Sequence, residues 1–341
     1  MNIDYAKQIL MDAVNNDVVP GGTIGFVDLN NEYFTNYGYA QVEPEKQLNN
    51  IDTLYDMASC TKVVATTTMI LKLYEDKVID LNDLVTKHLN DFPFDNITIT
   101  HLLTHTSGLP ADDKRYKLCK DKDELIKFIY SLSLNNKPGE VVEYSDFGFI
   151  VLGLIIEKYK GNIEEYANEL IFKPLGMNNT IYNPYLKNRK QDCACAEITS
   201  ERGLIRGVVH DGKANILNGI SGNAGLFSCV KDISKFIRML LLDGENILNK
   251  ETVELLKKPY TDKLNITRTL GWIFGSDENR PYASKCSLYH TGFSGTSIYI
   301  DFEKKCGIVL LTNRVHPIRR DVNKVIELRN NVSTYLLKEY E

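Results

Sequence analysis

The sequence predicts an α/β protein in which both chain ends build one antiparallel sheet and a mainly helical lobe is inserted between them. Three observations lead there. β-rich runs cluster near the two ends, at 23–29 and 33–39 and again at 270–274, 296–300 and 307–312. Segments of helical period fill the middle. No repeat of fixed period and no low-complexity tract is present, which excludes a solenoid. The simplest packing puts 1–80 and 262–341 in an α/β lobe and 81–261 in the inserted lobe, with a cleft between them as the natural place for a site.

Each element has its own signature. Ile3, Ala6, Ile9, Leu10, Ala13 and Val14 share one helical face, so the chain opens on an amphipathic helix. Gly21-Gly22 starts the first β-run, and Asn30-Asn31 separates it from the second, which predicts a hairpin. The polar stretch Tyr55 to Ala58 gives way to a helical run from Val63 to Tyr74. Helical spacing recurs at 81–89, 122–132, 147–159, 163–172, 231–242 and 250–257. After the three late β-runs, a last helix is expected from Arg319 to about Lys338.

A length of 341 residues suits about two domains. Lys plus Arg number 40 against 45 Asp plus Glu, a net charge of -5, which argues against a general nucleic-acid or anionic-membrane binder and leaves small-molecule substrates open. The longest strongly apolar stretch, Phe147 to Ile156, is far short of the ~20 residues of a membrane span. The N-terminus lacks the basic start and apolar run of a secretory signal, so a cytoplasmic location is expected. Seven scattered cysteines, an odd count, suit reduced thiols better than a disulfide framework. Cys193-Ala194-Cys195 has no second close Cys or His pair beside it, and neither a metal nor a cofactor is expected.

The chemistry centres on Ser59-Cys60-Thr61-Lys62, at the entry to a helical run. Residues three apart share a helix face, so the Ser59 hydroxyl and the Lys62 amine can meet. Free backbone N–H groups at a helix start stabilise developing negative charge. The same spacing at Ser228 to Lys231 reads instead as a helix cap, so the pattern needs company. Tyr144-Ser145-Asp146 follows the turn-like Pro138-Gly139-Glu140 and leads into the apolar helix. Tyr-x-Asp or Tyr-x-Asn also occurs at Tyr74, Tyr166 and Tyr260. His290-Thr291-Gly292 is the single His-Thr-Gly and precedes a β-run; on its own it reads as a strand with a glycine bulge.

With these triplets in this order, the chain resembles the serine hydrolases related to class C β-lactamases and low-molecular-weight penicillin-binding proteins, a family that includes carboxylesterases and D-stereospecific peptidases. The resemblance covers nearly the whole chain. It takes in the hairpin, the Ser-x-x-Lys helix, His101 to Pro110, the Tyr-x-Asn position, Gly222 to Ser228, Leu270-Gly271-Trp272 and His290-Thr291-Gly292. It implies a β-lactamase/transpeptidase-like fold with the catalytic cleft between the lobes, and an acyl-enzyme on an ester or small amide. It implies Ser59 as nucleophile, Lys62 and Tyr144 as the acid/base pair, the backbone N–H groups of Ser59 and Phe293 as the oxyanion hole, and His290, Thr291 and Gly292 on the pocket strand.

Two positions depart from the pattern. The second triplet usually ends in Asn and the third usually starts with Lys; here they are Asp146 and His290. Ionised Asp146 only accepts hydrogen bonds, and a carboxylate beside Lys62 favours its ammonium form. Lys62 is therefore expected to stay cationic and to lower the pKa of Tyr144, whose oxygen takes the serine proton. His290 is a weaker cation than Lys and holds a substrate carboxylate poorly. This favours an esterase or D-amino-acid peptidase over the alternative of a β-lactamase or DD-carboxypeptidase. A non-catalytic binding or sensor protein on the same scaffold is the alternative of another class. Further candidate substrate contacts are Asn313 and Arg314, otherwise a strand-end turn with an exposed Arg; His210 with Asp211, otherwise a satisfied loop pair; and Asn223. His101 and His105 are read as buried structural residues.

Overall fold

The computed structural model describes residues 2–277, 280–281 and 283–340. Among them, seven strands pair antiparallel in one sheet: β1 (Gly21–Asp28), β2 (Glu32–Gln41), β3 (Gln47–Leu48), β4 (Ile273–Phe274), β5 (Ser287–Thr291), β6 (Ser297–Asp301) and β7 (Cys306–Thr312). Their spatial order is β3-β2-β1-β7-β6-β5-β4, so the two ends of the chain meet where β1 pairs with β7, Ile24 opposite Leu310. This is the mixed α/β architecture expected from the two clusters of β-runs.

Alternation along β1 assigns the two faces of the sheet. Ile24 and Phe26 pack with Leu10 of the first helix, Asp4–Asn15, and with Val325 and Leu336 of the last, Val322–Tyr340. Val27 points the other way, into the large core with Val230, Ile233 and Ile237 of the helix Val230–Leu241. A lobe boundary at 81 and 261 assigns that helix to the inserted lobe, but it packs directly on β1 and β7. Glycines permit the approach. A Cβ on Gly25 would lie 2.7 Å from Val230 Cγ2, and one on Gly307 2.4 Å from Ile237 Cγ2.

Between the sheet strands, Asp146–Lys160 is buried on nearly all sides through Phe147, Phe149, Ile150, Val151, Leu152, Ile155 and Ile156. That burial explains why it carries the longest apolar run without being a membrane span; among the described residues no helix is long and apolar enough to cross a membrane. Other expectations needed revision. Of 81–89 only Val85–His88 is helical, because Asp80 and Asp83 side chains bond nearby backbone N–H groups and hold a turn instead. Of 270–274 only Ile273–Phe274 is strand, since Gly271 sits at φ +81° against Thr67. The middle of the chain also holds short strands that lack a clear alternating run, Tyr55–Asp56, Leu226–Ser228 and Ile181–Tyr182, which form a separate sheet.

The Gly307 contact yields a direct test. Gly307→Val should lower stability by ~2 kcal/mol through overpacking against Ile237, although valine suits a strand. A urea midpoint equal to or above that of the wild type would contradict this account of how the helix lies on the sheet.

Candidate active site

Ser59 follows a tight junction. The strand Tyr55–Asp56 ends, Ala58 adopts φ +47°, and one 3-10 turn, Ala58–Cys60, feeds a π-helical turn, Lys62–Thr66, before the α-helix Thr67–Glu75. A left-handed Ala and a π turn are both costly unless the surroundings hold them, and they concentrate at functional sites. Here Asp56 supplies the hold. Its carboxylate accepts from the Ala58 N–H at 2.8 Å and the His210 N–H at 2.7 Å, and its carbonyl accepts from the Ser294 hydroxyl at 2.7 Å.

The three-residue spacing brings Lys62 Nζ to 3.0 Å from Ser59 Oγ. The Lys62 side chain is fully buried, and its Nζ also meets Asp146 Oδ1 at 2.7 Å and the Asn223 carbonyl at 3.0 Å. Three acceptors match the three protons of an ammonium. Burial alone would lower the Lys62 pKa, but the Asp146 carboxylate, together with hydrogen bonding to Asp146 and the Tyr144 oxygen, outweighs it and holds the amine above its ordinary value. Lys62 is a cation at neutral pH, as the carboxylate in its neighbourhood led us to expect.

Asp146 opens the helix Asp146–Lys160, where the positive end of the helix dipole favours a negative charge. Its second oxygen lies 3.1 Å from Lys213 Nζ. Burial would raise its pKa; Lys62 and then Lys213 reverse this and hold it below the usual carboxylate range. Tyr144 stacks on His105 with ring centroids 4.3 Å apart, and Lys62 Nζ lies 5.0 Å from its ring centre. Here one expectation fails. Lys62 does pull the phenol down, as does hydrogen bonding with Lys62 and Ser59, but desolvation is the larger effect and Asp146 adds to it, so the Tyr144 pKa is raised. Tyr144 rests as the neutral phenol.

His290 lies on β5 itself, so the triplet ends one strand and precedes the next, β6. Its Nδ1 donates to the Thr291 carbonyl at 3.0 Å, leaving Nε2 as an acceptor, buried and without a partner. Burial first, then the charges of Arg268 and Lys62, keep its pKa well below the ordinary histidine value, so the ring is neutral. Gly292 is required by close approach: a Cβ there would lie 2.6 Å from the Met57 carbonyl and 2.1 Å from Thr296 Oγ1. Phe293 follows and is exposed.

Ser59, Lys62, Tyr144, Asp146 and His290 thus come together. The more distant candidates play other parts. Asn223 offers its carbonyl to Lys62, while its side chain is occupied by Asp211 and Ser221. Arg314 is neither exposed nor open to a ligand: its Nε donates to the Phe293 carbonyl at 2.7 Å, and its guanidinium lies over the Phe293 ring. Asn313 is buried and bonds the Ala40 carbonyl at 2.9 Å. His210 reaches the wall, its ring nearly parallel to Phe293 at 5.7 Å and its Nε2 2.8 Å from Glu197. Ser228 is no helix cap; it ends a strand and bonds Thr180, and Cys229 precedes the helix. His105 is buried and accepts from the Ser145 N–H, while His101 is partly buried and closes a capping box with Thr98. Sequence reasoning missed Asp56, Arg268 and Lys213. The only signal for Lys213 was its place two residues after Asp211.

A serine hydroxyl against a buried, carboxylate-bound lysine and beside a tyrosine, at the edge of an antiparallel sheet, defines a serine hydrolase for ester or amide bonds. Comparison with known proteins agrees. The family model described as Beta-lactamase matches residues 7–330. A protein of Escherichia coli O157:H7, provisionally named a D-alanyl-D-alanine carboxypeptidase, is 33% identical over 80% of this chain and 71% of its own length. The N-acetylmuramyl-L-alanine amidase of Bacillus subtilis (strain 168) is 30% identical over 77% of this chain and 68% of its own. The octameric penicillin-binding protein homologue from Pyrococcus abyssi superimposes with a TM-score of 0.78 at 25% identity, covering 99% of this chain and 77% of that one. The chain belongs to the Beta-lactamase family.

The electrostatics predict an acid limb. Asp146 has a folded pKa below its unfolded value of ~3.9, so its pairing stabilises the fold fully above that value and is lost as pH falls through the folded one. Asp146→Asn should weaken this limb and, by leaving two buried ammonium groups without their carboxylate, cost about 3–5 kcal/mol at pH 7. Urea midpoints between pH 2.5 and 7 measure both; a variant as stable as wild type at pH 7 would refute the pairing.

Proposed function

We propose that Ser59 is the nucleophile of this hydrolase and forms an acyl-enzyme with an ester or small amide, as a carboxylesterase or D-amino-acid amidase. The observation that carries this is the 3.0 Å contact of Ser59 Oγ with Lys62 Nζ, on a lysine held charged and fully buried by Asp146. Lys62, a cation directed at Ser59, Asp146 and Asn223 and within reach of the Tyr144 oxygen, orients the hydroxyl and offsets negative charge. Tyr144 is then the base. Its phenolate, formed between Lys62 and the Arg268 guanidinium 5.9 Å from its ring centre, accepts the serine proton as Oγ attacks the carbonyl. The carbonyl oxygen, negative in the tetrahedral intermediate, is received by the backbone N–H groups of Ser59 and Phe293, a pairing that the close contact of Gly292 with Met57 and Ala58 supports. Tyr144 returns the proton to the leaving group, and a water activated by the same oxygen releases the acid.

The names of the two relatives support an amide of D-alanine or of muramyl-linked alanine as the natural class. The neutral His290 supports a substrate that presents a hydrogen-bond donor at that point rather than a carboxylate. All seven cysteines are free thiols, which supports a reducing compartment such as the cytoplasm.

A fluorophosphonate probe should add one adduct, mapped to Ser59 by mass spectrometry, and Ser59→Ala should cut p-nitrophenyl acetate turnover by at least ~10³-fold. Folded protein with an unmodified Ser59 and no ester, D-Ala-peptide or β-lactam turnover would end the enzymatic reading. Tyr144→Phe should lower kcat/KM by about 10²–10³-fold. The wild-type kcat/KM should climb from neutral pH well into the alkaline range, since the base form of a phenol with a raised pKa grows as pH rises. Normal acylation by Tyr144→Phe, with Lys62→Met inactive, would transfer the role of base to Lys62.

A further inference from the structure

We propose that Lys213 is a positioning residue of the reaction centre, clamping Asp146 from the side opposite Lys62 so that one carboxylate bridges two ammonium groups. The inference rests on the reading of Ser59, Lys62 and Tyr144 just given. Lys213 comes from the short helix Gly212–Ile216 and is buried. Its Nζ lies 3.1 Å from Asp146 Oδ2, while Lys62 Nζ takes Oδ1 at 2.7 Å. The other groups facing it are Asp211 at 3.7 Å, Asp112 at 3.4 Å and the Tyr116 ring, 4.6 Å from Nζ to centroid. Asp211 also accepts from the Ala214 N–H and the Asn223 amide, which places the helix start and the Asn223 carbonyl on Lys62 in one connected set.

A buried lysine beside a catalytic carboxylate has an electrostatic consequence. Lys62 and Asp146 alone are a neutral pair, which does little for a phenolate forming on Tyr144. With Lys213 the three groups carry a net charge of +1, but Asp211 and the half-exposed Asp112 beside Lys213 bring the five groups to -1, so Lys213 acts on Tyr144 through its hold on Asp146 rather than through net charge. Tyr144 faces Lys62, Asp146, Arg268, His105 and His290; the two histidines are held neutral, so the cations decide whether its phenolate can form. Lys213 also keeps Asp146 ionised to lower pH and fixes the orientation in which its other oxygen meets Lys62.

The test compares wild type with Lys213→Met and Lys213→Arg by three measurements: fluorophosphonate labelling of Ser59, kcat/KM for p-nitrophenyl acetate from pH 7 to 10, and the urea midpoint from pH 2.5 to 7. Lys213→Met should lose about tenfold in kcat/KM and move the acid limb of stability up by about one pH unit, because Asp146 loses one of its two cations. Lys213→Arg, which keeps the charge, should recover most of both. A merely structural lysine would lower stability at every pH without moving the limb. In the Asp146→Asn background Lys213→Met should leave the limb where it is. If Lys213→Met alone does not fold, Lys213→Met/Asp211→Asn removes an anion with the cation, keeps a capping side chain and should show the same two effects. Labelled Ser59 with kcat/KM within twofold of wild type, or with an unmoved acid limb, overturns this role of Lys213 and spares the hydrolase reading. Absence of labelling and turnover in wild type overturns both.

Discussion

A lysine ammonium with no exposed surface is the constraint around which the rest of the site is arranged. Removing such a charge from water costs several kcal/mol even after relaxation, and the cost is recovered only with close counter-charge and a full set of acceptors. Lys62 has both: Asp146 at 2.7 Å, and two oxygens at 3.0 Å. One of those acceptors is the Ser59 hydroxyl. The group that must be held buried for the fold to form is therefore also the group that orients the nucleophile, and loosening one loosens the other.

Satisfying Lys62 draws on segments far apart in the chain. Ser59 and Lys62 lie beyond the first hairpin, Asp146 starts the central buried helix, and Asn223 belongs to a glycine-rich loop before Leu226–Ser228. Each is anchored in turn. The Ser145 N–H donates to His105, whose ring stacks on Tyr144, and the Ser145 hydroxyl bonds the Pro110 carbonyl. Thr66 holds the Gly222 carbonyl at 2.7 Å, just before Asn223. On the sheet side, Gly292 presses on Met57 and Ala58, and Arg314 fixes the carbonyl of Phe293. The cleft is a meeting of element ends, where backbone donors and acceptors are unspent and available for chemistry.

Much of this was legible in the sequence because it depends on local order. The hairpin announced itself through two β-rich runs separated by Asn30-Asn31, and the Ser59 and Lys62 contact through a spacing of three. The strand Ser287–Thr291 was harder: its residues are buried on both faces of the sheet, so Ser287, Tyr289 and His290 show no simple alternation. Arg314 was a candidate substrate contact through the family resemblance, with an exposed strand-end arginine as the alternative; here it is buried and the Phe293 carbonyl claims its Nε. Beyond the place of Lys213 two residues after Asp211, Lys213 and Arg268 carried no signal, since a lone Lys or Arg in a polar stretch reads as solvated until the fold buries it. The ionisation of Tyr144 was misjudged for a related reason. Sequence spacing reveals a neighbouring charge, but desolvation depends on everything packed around the ring.

These burial effects bear on specificity. A pocket that grips an anionic substrate needs a cation free to meet it. Lys62 and Lys213 are committed to carboxylates, Arg314 to the Phe293 and Arg320 carbonyls, and Arg268 is buried beside Tyr144 and bonds the Gly271 carbonyl. The group at the end of β5 is a neutral imidazole with a bare Nε2, which can accept a proton-bearing group but has no charge to offer a carboxylate. Replacing the usual lysine by His290 therefore does more than weaken a cation. Arg268 and Lys62 repel a proton from the ring, burial penalises the imidazolium, and the two effects act in the same direction. The same positive charges that favour a phenolate on Tyr144 thus keep His290 neutral, so one electrostatic arrangement sets both the base and the kind of substrate group the strand can receive.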